Sequence, residues 1–369
     1  MELLNSTDAL IDRVELYNFW ITEIRDFDWL KQQGILVVKE DVPPYIWYEE
    51  RKYSSIAIRE GRYFREFIYG INKDGIGYAR IKMLVQGDGE SHNLNCSSPS
   101  QVRLQIRDVY RELLMDYGIR INVSEIQYAS MEINKTIELN YDFAEYHRVF
   151  IMMMKLFPPM LRLKDIAAHQ GKNEPTYSAL EYKNRWETYS MNSGERGIGI
   201  KMYDKRKELK DKYDDDIDNS CFRFEITLKS STKIKSIFGT TKVNEISQKD
   251  INSYFSEFVE KNIEREFTKY KAKREIAMRK IIRKNYTPGS RTFVRATLME
   301  ILDLEVANGG LPIVLDIEEL LAQVLAVRFK TDEAMNHALK KFREIALTDA
   351  VSICQHDDVK YMELIQKLK

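Results

Sequence analysis

The sequence is poor in the residues on which disulfide-bonded, zinc-binding and membrane proteins depend. It has 3 cysteines, 8 prolines and 5 histidines in 369 residues. Three scattered cysteines exclude a disulfide framework or a zinc knuckle and favour reduced thiols. No apolar run reaches the roughly 18 residues that cross a bilayer, and the acidic N-terminus has no basic stretch before an apolar core. We therefore expect a cytoplasmic protein with no secretory signal and no membrane partner, and the richness in Lys, Ile, Tyr, Asn and Met favours a bacterial source.

A net charge of either sign is also lacking, because 57 Lys and Arg balance 57 Asp and Glu. With 44% hydrophobic and 11% aromatic residues, the composition excludes a disordered chain, a collagen-like repeat and a charged tail protein. Neutrality taken alone argues against a nucleic-acid partner. The local distribution differs, since residues 261–284 hold ten Lys and Arg against three Glu.

Hydrophobic periodicity divides the chain into three parts. Residues 1–34 are predicted to form a helical lead-in, because apolar residues between 8 and 32 recur at helical spacing. Residues 35–245 mix short β-rich runs with helical patterns, which is typical of an α+β domain with a mainly antiparallel sheet. Residues 246–369 show almost only helical patterns and predict an all-α C-terminal domain that binds DNA or a protein partner.

The middle part contains the elements that matter for function. Its pattern predicts a helix over 99–117, a strand over 126–139 and a helix over 141–157 that ends at two prolines. Two short strands follow, at 197–204 and 221–229, joined by a strongly charged segment.

Three of these predicted strands each have one apolar and one polar face. If the strands share a sheet, Glu132, Tyr203 and Glu225 fall on the same side. Carboxylates on rigid strands suit Mg²⁺ or Mn²⁺, and a tyrosine beside such a metal could act as a nucleophile on phosphorus. The alternative is an ordinary antiparallel sheet that shows its polar face to water.

Two segments carry a family resemblance. The run IGIKMYDKRKEL (198–209), followed by FRFEITL (222–228), resembles the signature of rolling-circle replication initiators. This group includes plasmid and conjugative-element replication initiation factors and phage gene II/X-type replication proteins. The strand ASMEINKTIEL (129–139) lies where such proteins carry an acidic residue, and SHNLN (91–95) is similar to the gene II/X arrangement. The resemblance covers roughly residues 50–240.

The resemblance implies an antiparallel-sheet nuclease domain and a chemistry. In that family a tyrosine attacks a DNA phosphodiester, becomes linked to the 5′-phosphate and releases a 3′-OH that primes replication. Tyr203 is then the nucleophile, and Glu132 and Glu225 match the acidic positions that hold Mg²⁺ or Mn²⁺. Many rolling-circle nucleases bind metal through two histidines one residue apart, and no such pair exists here. The acidic type of metal site remains.

Several cations and two further ligands accompany these residues. Lys205 and Arg223 could supply the catalytic charge, and Lys205 could bind the scissile phosphate, while Lys201 is a candidate DNA contact. Glu208 could hold Lys205 or bind metal, or it could be an ordinary charge on a helix face. His92 could be a lone metal ligand or a solvated loop residue.

The basic segment 261–284 predicts contact with DNA phosphates, although a solvated helix balanced by acid elsewhere is the alternative. The candidate DNA-binding residues there are Lys269, Lys273, Arg274, Lys280, Arg283 and Lys284. Residues 316–328 and 331–347 could form a helix-turn-helix or could simply pack together. The chain has no phosphate-binding loop, so it is not expected to be an ATP-driven helicase.

These observations predict a DNA nickase and joining enzyme that initiates rolling-circle replication. Its partners would be origin DNA, double- and single-stranded, and a host helicase. A homodimer is an option, because the motif has one tyrosine rather than two. The alternatives are a non-catalytic origin-binding initiator and a DNA-binding regulatory protein or scaffold.

Overall fold

The computed structural model divides into two compact units. The first comprises Met1–Asn140 and Leu163–Ser256, and the second Tyr141–Arg162 and Glu257–Lys369. The second unit thus includes a segment from the middle of the chain, which the predicted boundary near residue 245 does not foresee. The structure describes residues 8–38, 46–48, 51–71, 77–85, 96–157, 188–193, 197–214, 217, 219–285, 296–297, 299–300, 303–304, 317–326, 330–348 and 357–369.

A large antiparallel sheet forms the first unit. The strands are β1 (Leu10–Tyr17), β2 (Trp20–Ile24), β3 (Leu36–Val37), β4 (Ile46–Tyr48), β5 (Arg51–Tyr53), β6 (Ser55–Arg59), β7 (Glu66–Ile71), β8 (Gly77–Leu84), β9 (Ile119–Asn122), β10 (Gln127–Glu138), β11 (Thr188–Ser193), β12 (Ile198–Asp204) and β13 (Cys221–Leu228). Among the described residues, nine strands share one sheet in the order β11-β12-β13-β10-β1-β8-β7-β6-β3. Every neighbouring pair is antiparallel, which confirms the predicted sheet type.

The helices largely follow the predicted pattern. They are α1 (Phe27–Gln32), α2 (Pro99–Asp116), α3 (His147–Leu156), α4 (Lys205–Tyr213), α5 (Ser231–Phe238), α6 (Gln248–Val259), α7 (Arg265–Asn285), α8 (Ile317–Ala326), α9 (Asp332–Thr348) and α10 (Asp357–Leu368). Helix α2 begins with a capping box in which Ser98 and Gln101 bond each other's backbone N–H, and Pro99 follows the cap. One π-helical turn, Glu260–Glu264, joins α6 to α7.

The second unit is helical wherever the structure describes regular structure in it. Residues 286–295, 305–316 and 349–356 lie outside the described residues, so the all-α C-terminal domain and the helix-turn-helix stay predictions. Tyr361 of α10 is fully buried and stacks on Phe267 of α7 with ring centroids 3.9 Å apart. None of the helices that the structure describes is both long and apolar enough to cross a membrane.

Within the described residues, the predicted helical lead-in is wrong except at α1, since Trp20–Ile24 is strand β2. Leu10–Tyr17 is strand β1, which lies between β10 and β8 inside the sheet. The register shifts between Ile11 and Arg13, so Asp12 is the extra residue of a β-bulge. The helix prediction rests on the helical spacing of Leu10, Val14, Tyr17 and Ile21, but of these four residues only Val14 is buried. The bulge instead places the buried side chains of Ile11 and Val14 three positions apart.

The apolar face of the central strands is part of the core. Ile133, Met202, Phe224 and Ile226 are fully buried, as the alternation predicts. The Phe224 ring meets the ring of Phe255, on α6, edge-on at 5.9 Å, a geometry that adds about 0.5–1.5 kcal/mol to the burial of the two rings. With this face packed, the polar residues of the same strands must point to the opposite face.

Candidate active site

The register of three strands collects the predicted site residues on one face. Lys201 of β12 is paired with Glu225 of β13, and Tyr203 is paired with Arg223. Glu132 of β10 lies one diagonal step from Glu225 in the β10–β13 register. Residues opposite each other across an antiparallel pair share a face. The prediction that Glu132, Tyr203 and Glu225 lie on the same side is therefore confirmed.

This polar face is buried rather than solvated. The exposed fraction is 0% for Arg223, 2% for Glu225, and 8% for both Glu132 and Tyr203. Burying charged groups costs free energy unless they are paired, so such clusters are concentrated at functional sites. The alternative of an ordinary water-facing sheet surface is wrong for these residues.

Tyr203 and Glu225 form the central hydrogen bond of the site. The Tyr203 hydroxyl donates to Oε1 of Glu225 over 2.6 Å. Burial raises the pKa of Tyr203, and the positive charge of Arg223 opposes that rise. Burial also raises the pKa of Glu225, with a further contribution from the negative charge of Asp12. The phenol is therefore neutral at rest, and a carboxylate of raised basicity is placed to take its proton.

Lys201 lies between the two carboxylates. Its Nζ is 3.7 Å from Oε1 of Glu132 and 3.6 Å from Oε2 of Glu225. The second oxygen of Glu132 faces Nε of Arg13 at 3.8 Å. The Lys201 side chain is 42% exposed, whereas those of Glu132 and Glu225 are 10% and 3% exposed. The two buried carboxylates thus already bind one cation, which reaches them from the solvent side.

The donor set fits a divalent metal with two protein ligands. Among the residues with described positions, no three His, Cys, Asp or Glu side chains form a metal-binding group. Mg²⁺ commonly binds through one or two carboxylates and keeps its remaining positions for water and phosphate oxygens. Glu132 and Glu225, both within 3.7 Å of one ammonium group, match that requirement. His92 lies outside the described residues.

Lys205 and Arg223 are too deeply buried to touch DNA directly in this structure. Lys205 begins α4, is 0% exposed, and donates from Nζ to Glu208 over 2.6 Å. Arg223 is also 0% exposed and donates from Nε to the hydroxyl of Thr136 over 2.7 Å. Burial lowers the pKa of Lys205, and the charge of Arg223 lowers it further. These residues are placed to act on Tyr203 through their charge, and Glu208 holds Lys205.

Sequence reasoning missed Asp12. This bulge residue of β1 is 4% exposed. Its negative charge acts on Glu225, Arg223 and Lys205. If the run LIDRVELY is taken as a strand, an acidic residue at position 12 marks a candidate site residue. The helix prediction for this segment concealed that signal.

The predicted DNA-binding residues of α7 divide into two groups. Lys269 pairs with Glu266, Lys284 pairs with Glu300, and Arg274 is buried, with its Nε donating to the hydroxyl of Tyr270. Arg274 is therefore not a DNA contact. Lys273, Lys280 and Arg283 are exposed and have no ion-pair partner within the described part of the chain. Helical spacing places these three on one surface with Lys269 and the 70%-exposed Ile276, which we call the α7 stripe.

The buried thiols give a direct test of how closed the polar face is. Cys96 accepts a hydrogen bond from Nδ2 of Asn134, and burial raises the pKa of Cys96 and of Cys221 to about 12. Because only the thiolate reacts, neither should be alkylated by iodoacetamide at pH 8 in the native protein. Both should react in urea, as peptide mass spectrometry would show. Rapid native labelling of Cys96 would mean that solvent reaches this face.

Comparison with known proteins gives distant structural similarity but no match in sequence. The chain matches no family model and no curated protein sequence. It is similar to a solved structure titled "Structure of Rolling Circle Replication Initiator Protein from Geobacillus stearothermophilus". The match covers 69% of this chain and 85% of that chain, with 11% sequence identity and a TM-score of 0.31. At this level, the similarity decides neither the fold nor the chemistry of this protein.

Proposed function

We propose that this protein is a metal-dependent DNA nicking and joining enzyme that initiates rolling-circle replication through a 5′-phosphotyrosyl intermediate. The observation that carries the proposal is the 2.6 Å hydrogen bond between Tyr203 and Glu225 on a buried, charged sheet face. A nucleophile that is hydrogen-bonded to the group that takes its proton is the usual arrangement for covalent catalysis. The sequence motif around Tyr203 and Glu225 independently points to the same reaction.

The reaction balances with the groups present. Oη of Tyr203 attacks phosphorus, the P–O3′ bond breaks, and the phenolic proton passes to Glu225. The 3′ oxygen takes a proton from water and becomes the primer hydroxyl. The positive charges of Lys205 and Arg223 stabilise the negative charge that develops on the phenol oxygen. The intermediate is still a phosphodiester, so joining needs no external energy source.

Glu132 and Glu225 would hold Mg²⁺ or Mn²⁺, which when bound would polarise a phosphate oxygen. Of the two carboxylates, only Glu225 contacts the nucleophile. Glu132 would therefore bind the metal but would not take the proton of Tyr203. Origin DNA is the proposed substrate, and a host helicase would supply unwinding, because the chain has no phosphate-binding loop. With one tyrosine in the motif, a second copy or a water molecule would end the cycle.

A random pool of single-stranded oligonucleotides, labelled at the 3′ end, tests the proposal without knowledge of the origin. The pool is incubated with the protein and Mn²⁺ or Mg²⁺, with EDTA as the control. We expect labelled DNA that migrates with the protein on a denaturing gel, is released by protease and is enriched in successive rounds. Binding without linkage in either metal would favour the non-catalytic origin-binding initiator or regulatory protein.

A further inference from the structure

The ammonium of Lys201 lies between two buried carboxylates, and neither its place in the motif nor a simple DNA contact explains that position. Its ammonium lies 3.7 Å from Glu132 and 3.6 Å from Glu225, so one positive charge is already shared between the two carboxylates that would hold a metal. A second cation cannot bind both carboxylates while Lys201 remains there, because like charges at this distance repel strongly.

Lys201 is also the one member of this trio that can leave. Its side chain is 42% exposed, while the carboxylates are fixed on neighbouring strands and almost buried. A lysine has a long flexible stem, so its ammonium can move to solvent without any change in the sheet.

We propose that Lys201 is an exchangeable internal cation, which a divalent metal displaces from Glu132 and Glu225 and which then becomes available to a DNA phosphate. This rests on the proposed function, since it assigns the same two carboxylates to the metal. In the metal-free protein Lys201 limits the repulsion between the buried carboxylates. After exchange, its charge is on the solvent side of the site, so metal loading and DNA binding reinforce each other.

The first test measures Mn²⁺ affinity by calorimetry on the full chain, without DNA. Lys201→Gln should bind Mn²⁺ about five- to tenfold more tightly than wild type, because two partly exposed ion pairs no longer compete. Lys201→Arg should stay close to wild type, since it keeps the charge. Lys229→Gln is the matched control. Burial lowers the pKa of Lys229 and the nearby charge of Lys201 lowers it further, but among the described residues Lys229 bridges no carboxylates, so the affinity should change less than twofold.

Equal gains in Mn²⁺ affinity for Lys201→Gln and Lys229→Gln would overturn the proposal, because they would show that any nearby positive charge weakens metal binding by the same amount. Unchanged or weaker binding in Lys201→Gln would also overturn it. If neither wild type nor Lys201→Gln binds Mn²⁺, both the exchange and the metal in the proposed function are contradicted. Normal exchange without any DNA linkage would contradict the proposed nicking activity alone.

The second test follows the Lys201 amine itself. Acetylation by an acylating reagent, quantified by peptide mass spectrometry, should increase severalfold at Lys201 when Mn²⁺ is added, because displacement frees the amine from two carboxylates. Lys229 in the same sample should show no comparable change. A Lys201 acetylation rate that Mn²⁺ leaves unchanged would overturn the displacement.

Discussion

Replacing Tyr203 with phenylalanine is expected to abolish the covalent protein–DNA product and to leave DNA affinity within about twofold of wild type. The change removes only the hydroxyl oxygen that we propose as the nucleophile, and the aromatic ring stays in the sheet. Glu225 loses one hydrogen-bond donor but keeps Lys201 at 3.6 Å, so the strands should hold their register. The measurement is a denaturing gel for linkage and fluorescence anisotropy for DNA binding.

Tyr128→Phe is the matched control for this variant. Tyr128 is a fully buried tyrosine of β10, and within the described residues its hydroxyl has no hydrogen-bond partner. Removing that hydroxyl should leave linkage unchanged. Linkage that persists in Tyr203→Phe would identify another nucleophile and sink the assignment.

Glu225→Gln separates the nucleophile from its proton acceptor. The amide oxygen can still accept the hydrogen bond from Tyr203 but cannot take the proton. If Glu225 is the base, linkage should slow by about 10²–10⁴-fold. Because Glu225 is also a proposed metal ligand, the comparison is made at saturating Mn²⁺.

Loss of the free cations of the α7 stripe should weaken DNA binding more than loss of paired cations on α7 and on the π-helical turn before it. In the triple variant Lys273→Gln, Lys280→Gln and Arg283→Gln, we expect affinity to fall on the order of 10- to 100-fold at low salt. The slope of log affinity against log salt should decrease by about 2–3, since three phosphate contacts no longer release counterions. The stripe extends about 20 Å along α7, enough to contact several phosphates.

A control triple removes three charges that already have partners. Lys261, Arg265 and Arg279 are ion-paired with Glu257, Glu260 and Glu275, and their replacement by Gln changes the net charge equally. This variant should keep most of the salt dependence of wild type. Equal losses in the two triples would show that only total charge matters, and would contradict a specific contact surface.

The sequence predicted the site residues better than it predicted their environment. Alternation along β10, β12 and β13 identified which side chains share a face, because the period of a strand is two residues regardless of context. The same alternation cannot show whether a polar face is covered. The burial of Glu225 and Arg223 depends on the tertiary structure, and it excludes the alternative of a water-facing surface for these two residues.

The two clearest errors have local physical causes. Apolar residues of β1 and β2 recur at helical spacing, which predicts a helix where the structure has two strands, and Asp12, a buried carboxylate of the site, is therefore missed. In α7, charge counting treated all cations alike. Arg274 is buried against Tyr270, and Lys269 and Lys284 are paired, which composition alone cannot distinguish.

The net charge of zero also separates what the sequence determines from what only the tertiary structure decides. The sequence by itself determined the antiparallel sheet, the order of its central strands along the chain, and the tyrosine and carboxylates that one strand face carries, because each follows from periodicity and spacing. Only the tertiary structure decided which charges neutralise each other. It placed Lys201 between Glu132 and Glu225, and it left Lys273, Lys280 and Arg283 exposed, because ion pairing depends on distances of a few ångströms between residues far apart in sequence.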